Sequence, residues 1–295
     1  MISRIGVVAT VAACALVGSA GAAAAAPADT QGERERSAVV DVAHRGASAY
    51  APENTIAAID EAKARGAGTV EVDVQRSKDG KLVLFHDLTM ERTTDVEKVY
   101  PGRDDYRVGD FTLRQLRKLD AGSWFDASYK GERIPTLEEG LRRLKHEGLN
   151  LLLEQKAPER YPGIEKETAD LLKKHPWWLA GNPSSEPNRL AIQSFDHASV
   201  KRSHDRLPDV PHGLLGKVAK GELGKVAKWA DQVNPDHKKI DAAYVKAVHK
   251  KGMEVYVYTV NEPADMRTAI GAGVDGIISD VPDVLLKVIE EQRLP

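Results

Sequence analysis

Val70-Glu71-Val72-Asp73-Val74 alternates valine with acid at every second position. Side chains of an extended strand point alternately to opposite faces, so the valines share one face and the two carboxylates the other. Taken alone, the run fits a half-exposed strand with its acids in water. A second run changes the balance. Leu151-Leu152-Leu153 leads into Glu154-Gln155-Lys156, which again sets an acid and a cation on one face at the end of an apolar strand. Such repetition at matching positions favours a barrel, where apolar faces meet surrounding helices and polar strand ends converge on one mouth.

The rest of the chain supplies the frame. Apolar runs at 39–44, 70–74, 82–86, 150–154, 190–195, 211–216, 231–235, 254–260 and 276–280 read as strands. Helical periodicity lies between most of them, as in NTIAAIDEAKARG (54–66), PTLEEGLRRLKHEG (135–148), IEKETADLLKKH (164–175), DAAYVKAVHKKG (241–252) and PADMRTAIGAG (263–273). That order is the signature of parallel βα units. Only QRSKDGK joins the runs at 70–74 and 82–86, and its Asp79-Gly80 is a hairpin signal. Counting that hairpin as one strand with an extension leaves eight βα units, the number in an α/β TIM (β/α)8 barrel of about 250 residues.

Composition excludes several classes. The chain has 295 residues, 42% of them hydrophobic, enough to rule out intrinsic disorder. With 42 Lys and Arg against 44 Asp and Glu, no basic excess draws it to nucleic acid. The single cysteine, Cys14, excludes a disulfide framework and a thiolate zinc cluster. It lies inside an apolar, Ala-rich stretch that follows Arg4 and reads as a secretory signal peptide over 1–26, ahead of a solvated leader at 27–37 and one domain over 38–295. Export to the extracellular side is expected, with no stable membrane insertion, and a lipid anchor at Cys14 is disfavoured. The domain is expected as a monomer or weak homo-oligomer.

Residues able to do chemistry gather at strand ends. His44 and Arg45 close the first strand, His86 and Asp87 the hairpin strand, and Glu154 the next. Glu71 and Asp73 have Cα atoms roughly 6.5 Å apart by strand rise, close enough to share one ion. Three carboxylates without cysteine suit one hard divalent cation, Ca2+ or Mg2+, and zinc fits less well. Arg45 offers a planar fork for phosphate oxygens and Lys156 a mobile charge. Together these groups describe metal-assisted attack on a phosphoester. The other histidines (146, 175, 197, 204, 212, 237 and 249) read as surface or core residues, and Asn54 as the N-cap of the first helix.

HRGASAYAPENT (44–55) followed by EVDVQRSKDGKLVLFHD (71–87) resembles the glycerophosphodiester phosphodiesterase family. GSWF (122–125), IPTLEEGL (134–141), EQK (154–156), QSFD (193–196), YTVNEP (258–263) and GVDGIISDVP (273–282) continue the resemblance in order. It implies a TIM barrel that cuts glycerophosphodiesters into sn-glycerol 3-phosphate and an alcohol through a cyclic phosphate. By the same resemblance His44 and His86 are the acid/base pair, Arg45 the phosphate clamp, Glu71, Asp73 and Glu154 the metal ligands, and Lys156 a further support. Segment 88–134, after the hairpin strand, falls where the family inserts a small subdomain. Its polar, turn-rich sequence is too long for an ordinary barrel loop. Within it Trp124 is a candidate lining for the alcohol side. Tyr258 stands where tryptophan is common in the family, and is expected to bear on alcohol preference. Gln155 replaces an aliphatic residue but points to the outer face. Three rival functions are a related barrel phospholipase acting on sphingomyelin or lysolipids, a glycoside hydrolase using paired carboxylates, and a non-catalytic ion-binding protein.

Overall fold

In the computed structural model, residues 39–183 and 185–293 are described. The expected signal peptide, leader and Cys14 lie outside the described residues. Strands β1 (Val40–Ala43), β2 (Thr69–Arg76), β3 (Leu82–Leu84), β4 (Asn150–Gln155), β5 (Leu190–Ser194), β6 (His212–Leu215), β7 (Gln232–Asn234), β8 (Glu254–Val257) and β9 (Gly276–Ser279) form one sheet. Eight are parallel and closed, in the order β1-β9-β8-β7-β6-β5-β4-β2, with β2 paired back to β1. β3 runs antiparallel on the end of β2, so the hairpin is an extension of one barrel strand. The fold is the expected TIM barrel.

Among the described residues, eight helices follow the parallel strands in turn, with two short ones interposed. In chain order they are α1 (Ile56–Ala64), the short α2 (Val96–Val99) and α3 (Leu113–Leu116), then α4 (Leu137–Glu147), α5 (Ile164–Lys174), α6 (His197–His204), α7 (Leu223–Val226), α8 (Ala242–His249), α9 (Pro263–Ala272) and α10 (Pro282–Glu291). Local chemistry sets their ends. A reciprocal capping box between Thr136 and Glu139 starts α4, and Gly148 in the left-handed region stops it. Asp196 and Asp241 cap α6 and α8.

Strand alternation sorts the core into layers. Val70, Val72, Val74, Leu151 and Leu153 pack outward with Ile59, Leu141 and Ile164 of the helices. Val42, Leu152, Ala191, Tyr256 and Ile278 fill the barrel interior. Of the three leucines in β4, therefore, only Leu152 shares the inner face with Glu154. Segment 85–134 carries a core of its own, in which Met90, Val96, Phe111, Leu116 and Ile134 pack on Val83 and Phe85. No helix among the described residues is long and apolar enough to cross a membrane.

His212 opens β6, fully buried, with Nδ1 2.6 Å from the Val210 carbonyl and Nε2 3.1 Å from Ser203 Oγ on α6. The carbonyl fixes the proton on Nδ1, leaving Nε2 to accept from the serine. Burial pulls its pKa from 6.5 down to about 4. The unfolded chain takes up a proton near its ordinary value that the folded chain refuses until about 4. This contribution is therefore complete above 6.5 and is lost as pH falls, by roughly 2 kcal/mol at about pH 5. Urea unfolding should show the decline, and His212→Asn should flatten it; an equally steep slope in the variant would place the titration elsewhere.

Candidate active site

The turn after β1 is shaped by three residues in the left-handed region, Arg45 (φ 56), Gly46 (φ 84) and Asn54 (φ 57). A Cβ at position 46 would stand 2.6 Å from Ala58, so glycine is what lets α1 approach the end of β1. The strained backbone of Arg45 aims its amide at Glu71 Oε2, 2.8 Å away. Asn54 is not the helix N-cap. That role falls to Thr55, whose hydroxyl accepts from the Ala58 amide. Asn54 instead braces Asp73 twice: Nδ2 donates to Asp73 Oδ2 and Oδ1 accepts from the Asp73 amide, both at 2.9 Å. A polar residue before a helix satisfies the capping pattern at either position, and the left-handed backbone that turns Asn54 inward has no signature in the sequence.

Glu71, Asp73 and Glu154 meet at the inner strand ends, each buried and each offering an oxygen within 4.8 Å of the others. Register produces this, because Asp73 pairs directly with Glu154 across β2 and β4. Arg45 Nε lies 3.7 Å from Asp73 Oδ2, while Lys156 Nζ lies 2.9 Å from Glu154 and 3.7 Å from Asp73. Burial and the neighbouring Asp73 push Glu154 up to about 7 and Glu71 well above the ordinary range. Burial alone would raise Asp73 too, but His86, Lys156, Arg45 and the Asn54 bond hold it low. Burial lowers Arg45, yet Asp73, Glu53 and Glu71 outweigh it and keep the guanidinium firmly charged. Asp73 Oδ1 is buried without a hydrogen-bond partner. Crowded acids and an orphaned carboxylate oxygen fit a hard, oxygen-bound dication.

The two histidines share one design. His44 Nδ1 lies 2.6 Å from Asp280 Oδ1, and His86 Nδ1 lies 2.7 Å from Asp87 Oδ1. An acceptor-only carboxylate at Nδ1 assigns the proton there and leaves each Nε2 to exchange one. Ser48 and Asn261 also donate to Asp280. Against burial, these partners bring its pKa down to about 2. Asp280 directly follows β9 as His44 directly follows β1, so the strand-end logic that selects His44 applies to it as well.

A second cluster joins this site to the segment after β3. Glu53, His86 and Asp87 also stand within 4.8 Å of one another, but cations already occupy the acids. Glu53 accepts from Arg45 at 2.9 Å, and Arg92 donates twice to Glu53 and once to Asp87. The Trp124 ring lies 5.7 Å from the Arg92 guanidinium, and its Nε1 donates to the Ala121 carbonyl. Across the mouth, Tyr258 meets Phe195 edge-on at 5.8 Å, with Lys156 Nζ 5.8 Å from the same Phe195 ring. Burial, Asp236 and Glu154 push the Tyr258 hydroxyl up to about 12. Arg92 had no sequence signal, since it is one cation in a polar stretch. Gln155 faces outward, where its Oε1 accepts from Ser199 on α6.

Residues 44–284 match the glycerophosphoryl diester phosphodiesterase family. A glycerophosphodiester phosphodiesterase of Bacillus subtilis is 36% identical, the alignment covering 85% of this chain and 86% of the relative. One from Caldanaerobacter subterraneus is also 36% identical, over 85% of this chain and 97% of the relative. Among solved structures, an Oleispira antarctica phosphodiesterase in complex with the product sn-glycerol-3-phosphate is similar, with a TM-score of 0.73 at 30% identity. That likeness covers 85% of this chain and 96% of that one. A likeness that runs through sequence and fold over most of the length has one consequence: the chain belongs to the glycerophosphoryl diester phosphodiesterase family.

Proposed function

We propose that this glycerophosphodiester phosphodiesterase hydrolyses small soluble diesters to sn-glycerol 3-phosphate and an alcohol, with one divalent cation, calcium or magnesium, held by Glu71, Asp73 and Glu154. The observation that carries this is the buried carboxylate trio beside Arg45, with two carboxylate-anchored imidazoles on the adjoining loops. When bound, the cation supplies positive charge to the phosphoryl oxygens. Arg45, steadied by Glu53 and Asp73, holds the phosphate, and Lys156 adds a second positive charge. One imidazole takes the proton of a glycerol hydroxyl as that oxygen bonds to phosphorus. The other gives a proton to the departing alcohol oxygen, leaving a five-membered cyclic phosphate. Water then opens the ring with the two imidazoles in exchanged roles, which restores both protonation states. Because each Nδ1 is fixed by a carboxylate, both transfers use Nε2.

A second substrate reading has its own support. Leu88, Trp124 and Phe195 are the exposed large hydrophobics among the described residues. Leu88 follows Asp87, Trp124 adjoins Arg92, and Phe195 lies between Lys156 and Tyr258. Exposed apolar side chains at these positions favour a lysolipid, whose acyl chain they would contact.

Purified protein should cleave glycerophosphocholine, lose that activity on chelation and regain it with Ca2+ or Mg2+; full activity in chelator would remove the cation from the reaction. Turnover of lysophosphatidylcholine at a similar rate would favour the second substrate. His44→Ala and His86→Ala should each lower kcat by about 10²–10⁴ with cation binding retained, and Asp280→Asn should lower it through His44. A variant near wild-type rate would lose its assigned role.

Cation binding is separately measurable by calorimetry. Asn54→Ala should weaken it about 10–100-fold by freeing Asp73, with Glu71→Ala and Asp73→Ala weaker still. Since Glu154 titrates near 7 and Glu71 is raised, binding should release protons at neutral pH and weaken as pH falls. Heat independent of the buffer's ionisation enthalpy would contradict the ligand assignment.

A further inference from the structure

β3 ends at Leu84, two residues before His86, so the stretch that carries this imidazole has left the strand ladder. Its carbonyls need other partners, and one side chain supplies them. The two N–H groups of Gln75 Nε2 reach three carbonyls, of Phe85 at 2.9 Å, of His86 at 3.1 Å and of Asp87 at 2.8 Å, so one N–H is shared between two of them. Gln75 is fully buried. Its other end is fixed too, because the Tyr161 hydroxyl donates to Gln75 Oε1 at 2.7 Å. The orientation of the amide follows from chemistry. Turned over, it would face an oxygen to three carbonyl oxygens and a nitrogen to a hydroxyl left to find another acceptor. Tyr161 packs in the core beside α5 and follows β4, the strand that carries Glu154.

We propose that Gln75 is a positioning residue for the reaction, clamping the 85–87 backbone so that the His86 ring keeps a fixed place relative to the carboxylate trio, with Tyr161 locking the clamp. This deepens the assignment of His86 to proton transfer and rests on it. Gln75 lies two residues after Asp73 on β2, and the Phe85 amide donates back to the Asp73 carbonyl at 3.0 Å. One strand therefore sets both the proposed cation ligand and the backbone that carries the imidazole. A buried amide with three acceptors on consecutive residues transmits little slack, and proton transfer needs donor and acceptor within hydrogen-bond reach. Neither Gln75 nor Tyr161 is placed in contact with the substrate. Their effect belongs in kcat, and KM and cation affinity should stay close to wild type.

Gln75→Leu keeps the bulk and removes the donor. It should lower kcat for glycerophosphocholine by about 30-fold or more, with KM within about threefold, and speed hydrogen exchange of the Phe85–Leu88 amides. Tyr161→Phe, which removes one hydroxyl, should lower kcat about fivefold and speed the same amides less; it carries both measurements should Gln75→Leu fail to fold. Exchange unchanged in a folded variant would overturn the clamp. Faster exchange with kcat within about twofold of wild type, while His86→Ala is inactive, would overturn its bearing on the reaction. Wild-type turnover in His86→Ala would instead sink the role of His86 itself, a failure the exchange data keep separate from that of the clamp.

Discussion

Three carboxylates buried within 4.8 Å of one another form the constraint around which the rest of the mouth is arranged. Like charges at that separation in a low-dielectric setting repel strongly, and an uncompensated cluster would unfold its strand ends or stay protonated. The surrounding residues answer that repulsion. Arg45 accepts a left-handed backbone, which points its amide at Glu71 and sets its guanidinium beside Asp73. Asn54 accepts another to bond Asp73 twice. Lys156 bridges Glu154 and Asp73. Even so, Glu71 and Glu154 remain displaced toward their neutral forms, a shift that positive charge at the proposed cation site would reverse.

The parts of this arrangement that follow from strand periodicity were legible in the sequence. Valines out and acids in along β2, Glu154 at the same level of β4, and the hairpin at Asp79-Gly80 all depend on a two-residue repeat and one turn signal. The parts that depend on which distant loops meet were not. Asp280 lies 236 residues from His44 in the chain, and only closure of the barrel through β1 and β9 makes them neighbours. The helix cap that the sequence pattern places at Asn54 belongs to Thr55, one position later. Arg92 gains its meaning from Glu53 and Asp87, neither of which predicts it. Gln75, the first residue of the QRSKDGK link between the two runs, is a fully buried continuation of β2.

The two imidazoles are therefore supported by different physics. His44 is held by barrel closure: Asp280 directly follows β9, and Ser48 and Asn261 reinforce that carboxylate. His86 stands outside the closed strands: its carbonyl accepts from Gln75 of β2, and its carboxylate partner Asp87 is tied by Arg92 to Glu53. Arg92 belongs to a segment with its own apolar core around Met90, Phe111 and Leu116. Cooperative units of a protein open with separate free energies, and a unit with its own core can loosen while the barrel stays closed. Such an opening would free Asp87 from Arg92, while Gln75 and the Phe85 amide still tie the His86 backbone to β2. The proposed cation site and one member of the proposed acid/base pair thus belong to the barrel. The carboxylate partner of the other, Asp87, answers also to residues 85–134 through Arg92, so changes in that segment would reach the proposed chemistry at the His86 ring, whose backbone Gln75 holds to β2.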